Sequence, residues 1–467
     1  MSITILMKKH IHFIGICGVA MSALAIAFQK NGWKVTGSDK GFYPPVSTNL
    51  KDAGVLFYPG WHVDKMTEHG DPDLVVVGNV AGSENPEWIY VQKNKISYLS
   101  YPEAVAQYFV KKNSIVCTGT FGKSSSSILM TWILKHAGFD PSYMFGGVSN
   151  NELDAAAITT SDWSILEGDE YKSARWDDRP KFAHYSPTHL LLTAVIWDHA
   201  DIYPTEEGYI NTFRHLVDSI PKDGTIIMSE KAVDVIGKPT KAITYGKREG
   251  NTYVYGNLKQ TKNGITFDIT HDKKIYPIAS STIGEYMADN IAGCFAMSHT
   301  IGIAPEKIIE AITTFKNIKR RLEKRYENDV TIFDDIAHSP TKATSVLQTI
   351  KELYTGNIIA IYEPNTGNRQ PESTPAYAHA FSDASEVIIP RLTQIKVDPS
   401  DPIQPFDGEQ LAQVIAKTHV NTKYIEDDAA LLQHIISSTK PGDVIVFLGS
   451  HGFRGMIEEL ILNIHKA

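Results

Sequence analysis

The run Thr118-Gly119-Thr120-Phe121-Gly122-Lys123-Ser124 places the strongest limit on how this chain can fold. An apolar stretch from Ser114 to Cys117 leads into it and a helical pattern follows through His136, so a strand passes through a glycine turn into a helix. The glycines let backbone amides approach phosphate oxygens, and the helix N-terminus adds positive potential. Lys123 offers a point charge to β and γ phosphates, and the Ser124 hydroxyl suits Mg2+. The first glycine of GxxxxGK[ST] would fall at Cys117, which makes this the shorter TGTxGK[ST] form. Triphosphate binding is the expectation. The competing structural reading is an ordinary glycine turn with a surface lysine.

Around this loop the chain reads as three α/β units, and 467 residues are too many for one core. A strand from Ile11 to Ile16, a helix from Ala20 to Asn31, a strand ending at Gly37-Ser38-Asp39 and another at Leu74 to Gly78 begin a parallel sheet. The phosphate-loop strand opens a second unit near Lys112. That unit continues with strands at Trp163 to Glu170 and Leu190 to Val195, a strand-rich patch from Tyr253 to Ile278, and a helix from Glu285 to Thr300. Beyond Arg320-Arg321 come a strand at Val330 to Asp335, a helix at Thr341 to Leu353, strands at Ile358 to Tyr362 and Asp443 to Leu448, and a closing helix. The expected fold is α/β with a Rossmann-like domain over residues 1–112, a central P-loop ATPase-type domain over 113–321, and a C-terminal Rossmann-like domain over 322–467.

A formal net charge of -8 argues against nucleic acid or an anionic membrane as the main partner, since both need clustered Lys and Arg. No apolar run approaches the ~20 residues of a membrane span, and the opening residues lack a signal-peptide pattern, so a cytoplasmic protein is expected. Met7, followed by Lys8 and Lys9, is an alternative start. Cys17, Cys117 and Cys294 are far apart and are expected as buried free thiols.

Two further stretches carry chemistry. Leu166-Glu167-Gly168-Asp169-Glu170-Tyr171 places carboxylates at a strand end beside the proposed nucleotide, where Mg2+ sits between acids and phosphates. A solvated acidic loop is the competing reading. His199 lies between Asp198 and Asp201 just beyond a strand, a placement that favours a role in the site over a structural one. Gly15-Ile16-Cys17-Gly18 falls short of GxGxxG at Cys17, although Asp39 at the end of the second strand can accept a ribose hydroxyl. Cys17 and the phosphate loop together disfavour a nicotinamide oxidoreductase.

The phosphate loop resembles that of the Mur ligases and the related folylpolyglutamate synthetases, which typically read TGTHGKTT; Phe121, Ser124 and Ser125 differ here. Asp198-His199-Ala200-Asp201 is similar to the family's DHxD element, with Thr193 and Ala194 upstream where asparagine is expected. Gly37 to Asp39, Tyr43-Pro44-Pro45-Val46-Ser47-Thr48, Gly78-Asn79, Glu84-Asn85-Pro86 and Trp176 to Tyr185 resemble the branch that attaches a cell-wall peptide more than the branch that attaches L-alanine. An arginine common near Ser83 is missing. Gly284-Glu285-Tyr286-Met287 with Asn290, the pair Arg320-Arg321, and Asp334-Asp335-Ile336-Ala337-His338-Ser339-Pro340-Thr341 stand where the family has GEHN with a further asparagine, an arginine pair and DDxAHHPT. Glu363 to Arg369 replaces EPRSNT, with Asn365 for its arginine, and Gly449 to Gly455 resembles SNGGFGG.

That resemblance implies an ATP- and Mg2+-dependent carbon–nitrogen ligase joining L-Ala-γ-D-Glu-meso-diaminopimelate to UDP-N-acetylmuramate through an acyl phosphate. It implies catalytic roles for Lys123, Glu167 and His199, and metal binding by Ser124, Glu167 and His199. ATP would be held by Gly119, Thr120, Gly122, Lys123, Ser124, Ser125, Asn290, Arg321 and Asp335. The UDP-sugar and acceptor would meet Gly15, Gly18, Ser38, Asp39, Asn79, His338 and Arg369. Two alternatives stand beside it: a UDP-N-acetylmuramate:L-alanine ligase, and a weakened homologue acting as a nucleotide- or UDP-sugar-binding regulator. The substitutions at Phe121, Thr193, Tyr286, Met287, Ile336 and Asn365 favour the latter.

Overall fold

The computed structural model describes residues 9–199, 202–393 and 405–464. Met7, Lys8, Ala200 and Asp201 lie outside the described residues. The chain divides into two compact units, Met1–Leu258 with Thr266–Ser281 and Tyr286–Asn317, and Lys259–Ile265 with Thr282–Glu285 and Ile318–Ala467.

The first unit opens with β1 (His10–Ile14), α1 (Val19–Lys30), β2 (Lys34–Asp39), β3 (Leu56–Pro59), β4 (Leu74–Val77), α2 (Pro86–Lys93) and β5 (Tyr98–Ser100). Its five parallel strands are ordered β3-β2-β1-β4-β5. β1 is buried along its whole length, as a central strand covered on both faces must be. It stops at Ile14, two residues earlier than expected, because Gly15 turns the chain at φ +88. Asn85 caps α2 by accepting the Trp88 amide, with Pro86 supplying the first helical position. Ile14 pairs with Ser38 and with Val77, so the turn after β1, Asp39 and Gly78-Asn79 leave the same edge of the sheet.

A second sheet follows, most of it in the same unit. Its elements are β6 (Asn113–Thr118), α3 (Lys123–His136), β7 (Ser142–Met144), β8 (Ala156–Ala157), β9 (Trp163–Gly168), the hairpin β10 (Lys172–Ala174) and β11 (Asp177–Pro180), β12 (His189–Leu192) and α4 (Glu206–Asp218). Then come β13 (Thr225–Ser229), β14 (Ile243–Gly246), β15 (Tyr253–Thr261), β16 (Gly264–His271), β17 (Lys274–Ser280) and α5 (Glu285–Thr300). Apart from the hairpin these strands form one ten-stranded sheet, β17-β16-β15-β14-β13-β12-β6-β9-β7-β8, in which the strand-rich patch supplies one end. β12 ends at Leu192, short of the expected Val195. Thr118 pairs with Leu192 on one side and Gly168 on the other, so three chain segments emerge level at one edge.

The two sheets of this unit share a hydrophobic core containing Phe28, Ala156, Phe182 and Leu190, so contacts join the two expected domains into one compact unit. Trp176 of the hairpin stacks on Trp88 of α2 at 5.3 Å between ring centroids. Lys30 of α1 pairs with Asp154 at 2.6 Å.

The second unit contains β18 (Glu323–Glu327), β19 (Thr331–Asp335), α6 (Pro340–Leu353), β20 (Ile358–Glu363), β21 (Glu386–Pro390), β22 (Thr422–Ile425), β23 (Val444–Gly449) and α7 (Met456–Ile464). The sheet order is β18-β19-β23-β20-β21-β22, parallel except for β18. One face packs on Val346, Leu347 and Ile350 of α6, the other on Ile457 and Leu460 of α7. Asp335 pairs with Leu448 and Glu363 with Gly449, bringing the ends of β19, β20 and β23 to one edge.

Candidate nucleotide and substrate sites

The level ends of β9, β6 and β12 create the site around the phosphate loop. Ligands of open α/β sheets lie at this carboxyl edge. Gly119 takes φ +132, and a Cβ there would stand 2.7 and 2.8 Å from the Ala194 carbonyl oxygen and amide nitrogen, so only glycine fits. Gly122 takes φ +81, a conformation that strains any side chain, and lies against the Asn290 amide of α5. The Thr120 hydroxyl is 2.8 Å from the Ile196 carbonyl and 2.8 Å from the Tyr209 hydroxyl, and accepts the Ile196 amide at 2.9 Å. Thr193, a departure from the family pattern, places its hydroxyl between the carbonyls of Thr118 and Phe121, pinning the loop backbone.

Lys123, the first residue of α3, folds back over the loop. Its ammonium donates to the Gly119 carbonyl at 2.9 Å and to Glu170 Oε1 at 3.0 Å. Burial alone would lower its pKa, but Glu170 and then Asp169 outweigh that and hold it above the ordinary value. Ser124 donates to Glu167 Oε1 at 2.7 Å, and the Gly146 amide donates to Glu167 Oε2 at 2.6 Å. Burial raises the Glu167 pKa, and these two hydrogen bonds offset it only in part. A carboxylate in that condition gains from an incoming cation.

The three acids after β9 go separate ways. Glu167 meets Ser124, and Asp169 pairs with Lys181 at 2.5 Å. Glu170, 1% exposed, lies 2.9 Å from the Lys123 ammonium and 3.4 Å from His199 Nε2. Burial works against its charge, but Lys123 outweighs that and lowers its pKa. For His199 burial is likewise overcome, by the hydrogen bond to Glu170 and the charge of Asp198, and the pKa rises. His199 sits at φ +57, edge-on to the Tyr171 ring. Ser124 and Glu167 are thus brought together, whereas His199 is joined to Glu170. Among the described residues no group of three or more His, Cys, Asp and Glu side chains is arranged to hold a metal. The hard oxygens of Ser124 and Glu167 beside a phosphate loop nevertheless fit Mg2+, which keeps water and phosphate ligands and needs few from protein.

The first turn is organised differently. The amides of Gly15 and Ile16 donate to the Ser38 carbonyl at 2.8 and 3.0 Å, and the Cys17 amide donates to Asp39 Oδ2 at 2.8 Å. Asp39 Oδ1 accepts the Lys40 amide at 2.7 Å. Ser38 donates to Glu87 of α2 at 2.5 Å, and Glu87 also accepts the Tyr58 hydroxyl and the His62 amide at 2.7 Å each. The half-buried Cys17 thiol is pushed up to about 11 by burial and then by Asp39. Gly18 precedes α1 at φ -58, and Asn79 is exposed, its carbonyl accepting Arg175 Nε at 2.9 Å. Cys117 and Cys294 are buried free thiols, as expected.

In the second unit Asp335 ends β19 and accepts the Leu322 amide at 2.6 Å and the Ala337 amide at 2.7 Å. Burial raises its pKa and the charge of Arg321 opposes the rise. Arg320 instead serves the fold, pairing with Asp334 at 3.1 Å and donating to the carbonyls of Gly449 and His451 at 2.6 and 2.7 Å. His338 Nδ1 is 2.7 Å from the Ile336 carbonyl. Arg369 donates to the carbonyls of Phe406 and Thr393 at 3.0 and 2.9 Å, and burial lowers its pKa. Glu363 at the end of β20 is 1% exposed, accepts the Thr393 amide at 2.7 Å and lies 3.7 Å from Arg454. The roles of Glu170, of Thr193 as a loop anchor and of Glu87 are not legible in the sequence, because each acts through tertiary partners that no local pattern reveals.

Three family models match the chain: "Mur ligase family, catalytic domain" over residues 10–112, "Mur ligase middle domain" over 117–298, and "Mur ligase, glutamate ligase domain" over 320–451. The chain is 31% identical over 465 residues, 98% of each chain, to the UDP-N-acetylmuramate–L-alanyl-γ-D-glutamyl-meso-2,6-diaminoheptandioate ligase of Escherichia coli (strain K12). It is 26% identical to the UDP-N-acetylmuramate–L-alanine ligase of Agrobacterium fabrum, over 94% of this chain and 93% of that one. The solved structure of a murein peptide ligase from Psychrobacter arcticus 273-4 superposes with a TM-score of 0.72 at 26% identity, covering 98% of this chain and 99% of the other.

Proposed function

The chain belongs to the Mur ligase family, and from that premise we propose that it is an ATP-dependent amide ligase joining L-Ala-γ-D-Glu-meso-diaminopimelate to UDP-N-acetylmuramate. The observation that carries the reading is the convergence of Lys123, Ser124, Glu167, Glu170 and His199 at one sheet edge, around a loop whose two glycines take left-handed φ. Full-length likeness to relatives named for this tripeptide supports the acceptor.

In this reading the lactyl carboxylate of the UDP-sugar attacks the γ-phosphoryl group of ATP, ADP departs, and the peptide amine then displaces phosphate from the acyl phosphate. Lys123 holds negative charge on the transferred group, and the preorganised amides of the loop and of the α3 N-terminus do the same without rearrangement. Ser124 and Glu167 would hold one Mg2+ and His199 would help hold a second, and these ions would supply further charge neutralisation. We assign Gly15, Gly18, Ser38, Asp39 and Asn79 to the UDP-sugar, Asn290, Arg321 and Asp335 to adenosine, and His338 and Arg369 to the acceptor. The domains are 1–112, 113–321 and 322–467, and the enzyme works in the cytoplasm. No helix among the described residues is long and apolar enough to cross a membrane.

The test is phosphate release from ATP and Mg2+ with UDP-N-acetylmuramate and, in turn, L-alanine, L-Ala-γ-D-Glu and the tripeptide. Release with the tripeptide is expected. Release with L-alanine alone would replace this reading with the L-alanine ligase, and no release with any acceptor would leave the regulator.

A further inference from the structure

Glu170 belongs to none of the roles set out above, yet it joins groups from several segments beside the phosphate loop. It leaves the sheet two residues after β9, and its side chain is enclosed, 1% exposed. One carboxylate faces two cationic or ionisable groups from two different loops, Lys123 of the phosphate loop at 2.9 Å and His199 of the segment after β12 at 3.4 Å. The Tyr209 hydroxyl of α4 adds a third contact at 3.4 Å, and the Tyr203 hydroxyl donates to the Glu170 carbonyl at 2.5 Å. The Lys123 ammonium lies within 3.0 Å of both carboxylate oxygens of Glu170. Burying a charge in such a place is costly unless partners fix it, and here the partners are the two groups that must be aimed at a nucleotide.

We propose that Glu170 is a positioning residue of the nucleotide site: its one carboxylate ties Lys123 to His199 and, by engaging His199 Nε2, fixes the orientation of that ring beside the phosphate loop. The proposal rests on the ATP-site reading given above. A carboxylate behind a metal-facing imidazole sets its tautomer and ring orientation, and removing such a carboxylate weakens metal binding by about 10- to 100-fold. Glu170 also supplies the counter-charge that keeps the Lys123 ammonium beside the Gly119 carbonyl at the loop. Glu167 serves a separate duty, because its two oxygens are engaged by Ser124 and the Gly146 amide.

The experiment compares the full-length protein with Glu170→Gln and Glu170→Asp, measuring calorimetric binding of the non-hydrolysable analogue AMP-PNP with Mn2+ and, separately, of UDP-N-acetylmuramate. Glu170→Gln, which preserves shape and removes charge, is expected to weaken Mn2+–AMP-PNP binding 10- to 100-fold and leave UDP-N-acetylmuramate binding unchanged. Glu170→Asp is expected to recover part of the loss. Equal Mn2+–AMP-PNP affinity in the wild type and Glu170→Gln overturns the proposal, as does a parallel loss of both ligands, which would make Glu170 a general fold residue. If the wild-type protein itself binds no Mn2+–AMP-PNP, the ATP-site reading fails first and the proposal with it.

Discussion

The turn after β1 and the turn after β6 share a plan, a buried strand, a glycine turn and a helix, and use it in opposite ways. In the first, the amides of Gly15, Ile16 and Cys17 are all bound by the protein's own acceptors, the Ser38 carbonyl and the Asp39 carboxylate. In the second, which like the first needs glycine at a left-handed φ, the following helix supplies Lys123 and Ser124 and the neighbouring strand end delivers Glu167 and Glu170 to meet them. A glycine turn before a helix therefore reports backbone geometry alone. The side chains that the adjacent strands bring to the same edge decide whether it handles charge.

The largest effect expected from this difference is at Lys123. Lys123→Ala should lower kcat/KM for ligation by about 10²- to 10³-fold, the usual consequence of removing one group that stabilises developing charge. Calorimetric affinity for UDP-N-acetylmuramate should stay near that of the wild type, because the first turn is held by its own bonds. Undiminished turnover would remove Lys123 from the transfer step.

The glycines sharpen the contrast. Gly119→Ala forces a Cβ to within 2.8 Å of the Ala194 backbone at a φ of +132, so about 1–3 kcal/mol of stability should be lost together with ATP affinity. Gly18→Ala meets only ordinary contacts, the nearest being Met21 at 3.6 Å, at a φ of -58. Its effect on stability should stay within about 0.5 kcal/mol. Denaturant titration of both variants checks the pair, and equal losses would mean that the two turns are under the same constraint.

The sequence made the three sheets legible because strand and helix periods alternate cleanly around each glycine turn, and the phosphate loop because glycine, lysine and serine lie together in one heptapeptide. Boundaries slipped where tertiary contacts decided them. Gly15 ends β1 before Ile16, and the expected strand to Val195 stops at Leu192, where Thr193 turns its hydroxyl onto the loop carbonyls. The division of labour among Glu167, Asp169 and Glu170 was hidden for the same reason. Adjacent acids at a strand end look alike in sequence, and their partners Ser124, Lys181 and His199 come from three different segments. Arg369 illustrates the opposite hazard: the residue stands near the expected acceptor motif, and its Nε and Nη1 donate to the carbonyls of Phe406 and Thr393.

The smallest predicted effect tests whether the first turn is a scaffold or a ligand contact. Asp39→Asn retains one oxygen able to accept either the Cys17 or the Lys40 amide and loses the other bond, so about 1 kcal/mol of stability should disappear. UDP-N-acetylmuramate affinity should fall only a few-fold, in step with that loss, because Asp39 acts by holding the turn, while Mn2+–AMP-PNP binding stays unchanged. A loss of UDP-sugar affinity well beyond the stability change would place the Asp39 carboxylate against the ligand itself, and would make the first turn resemble the second more than its hydrogen bonds indicate.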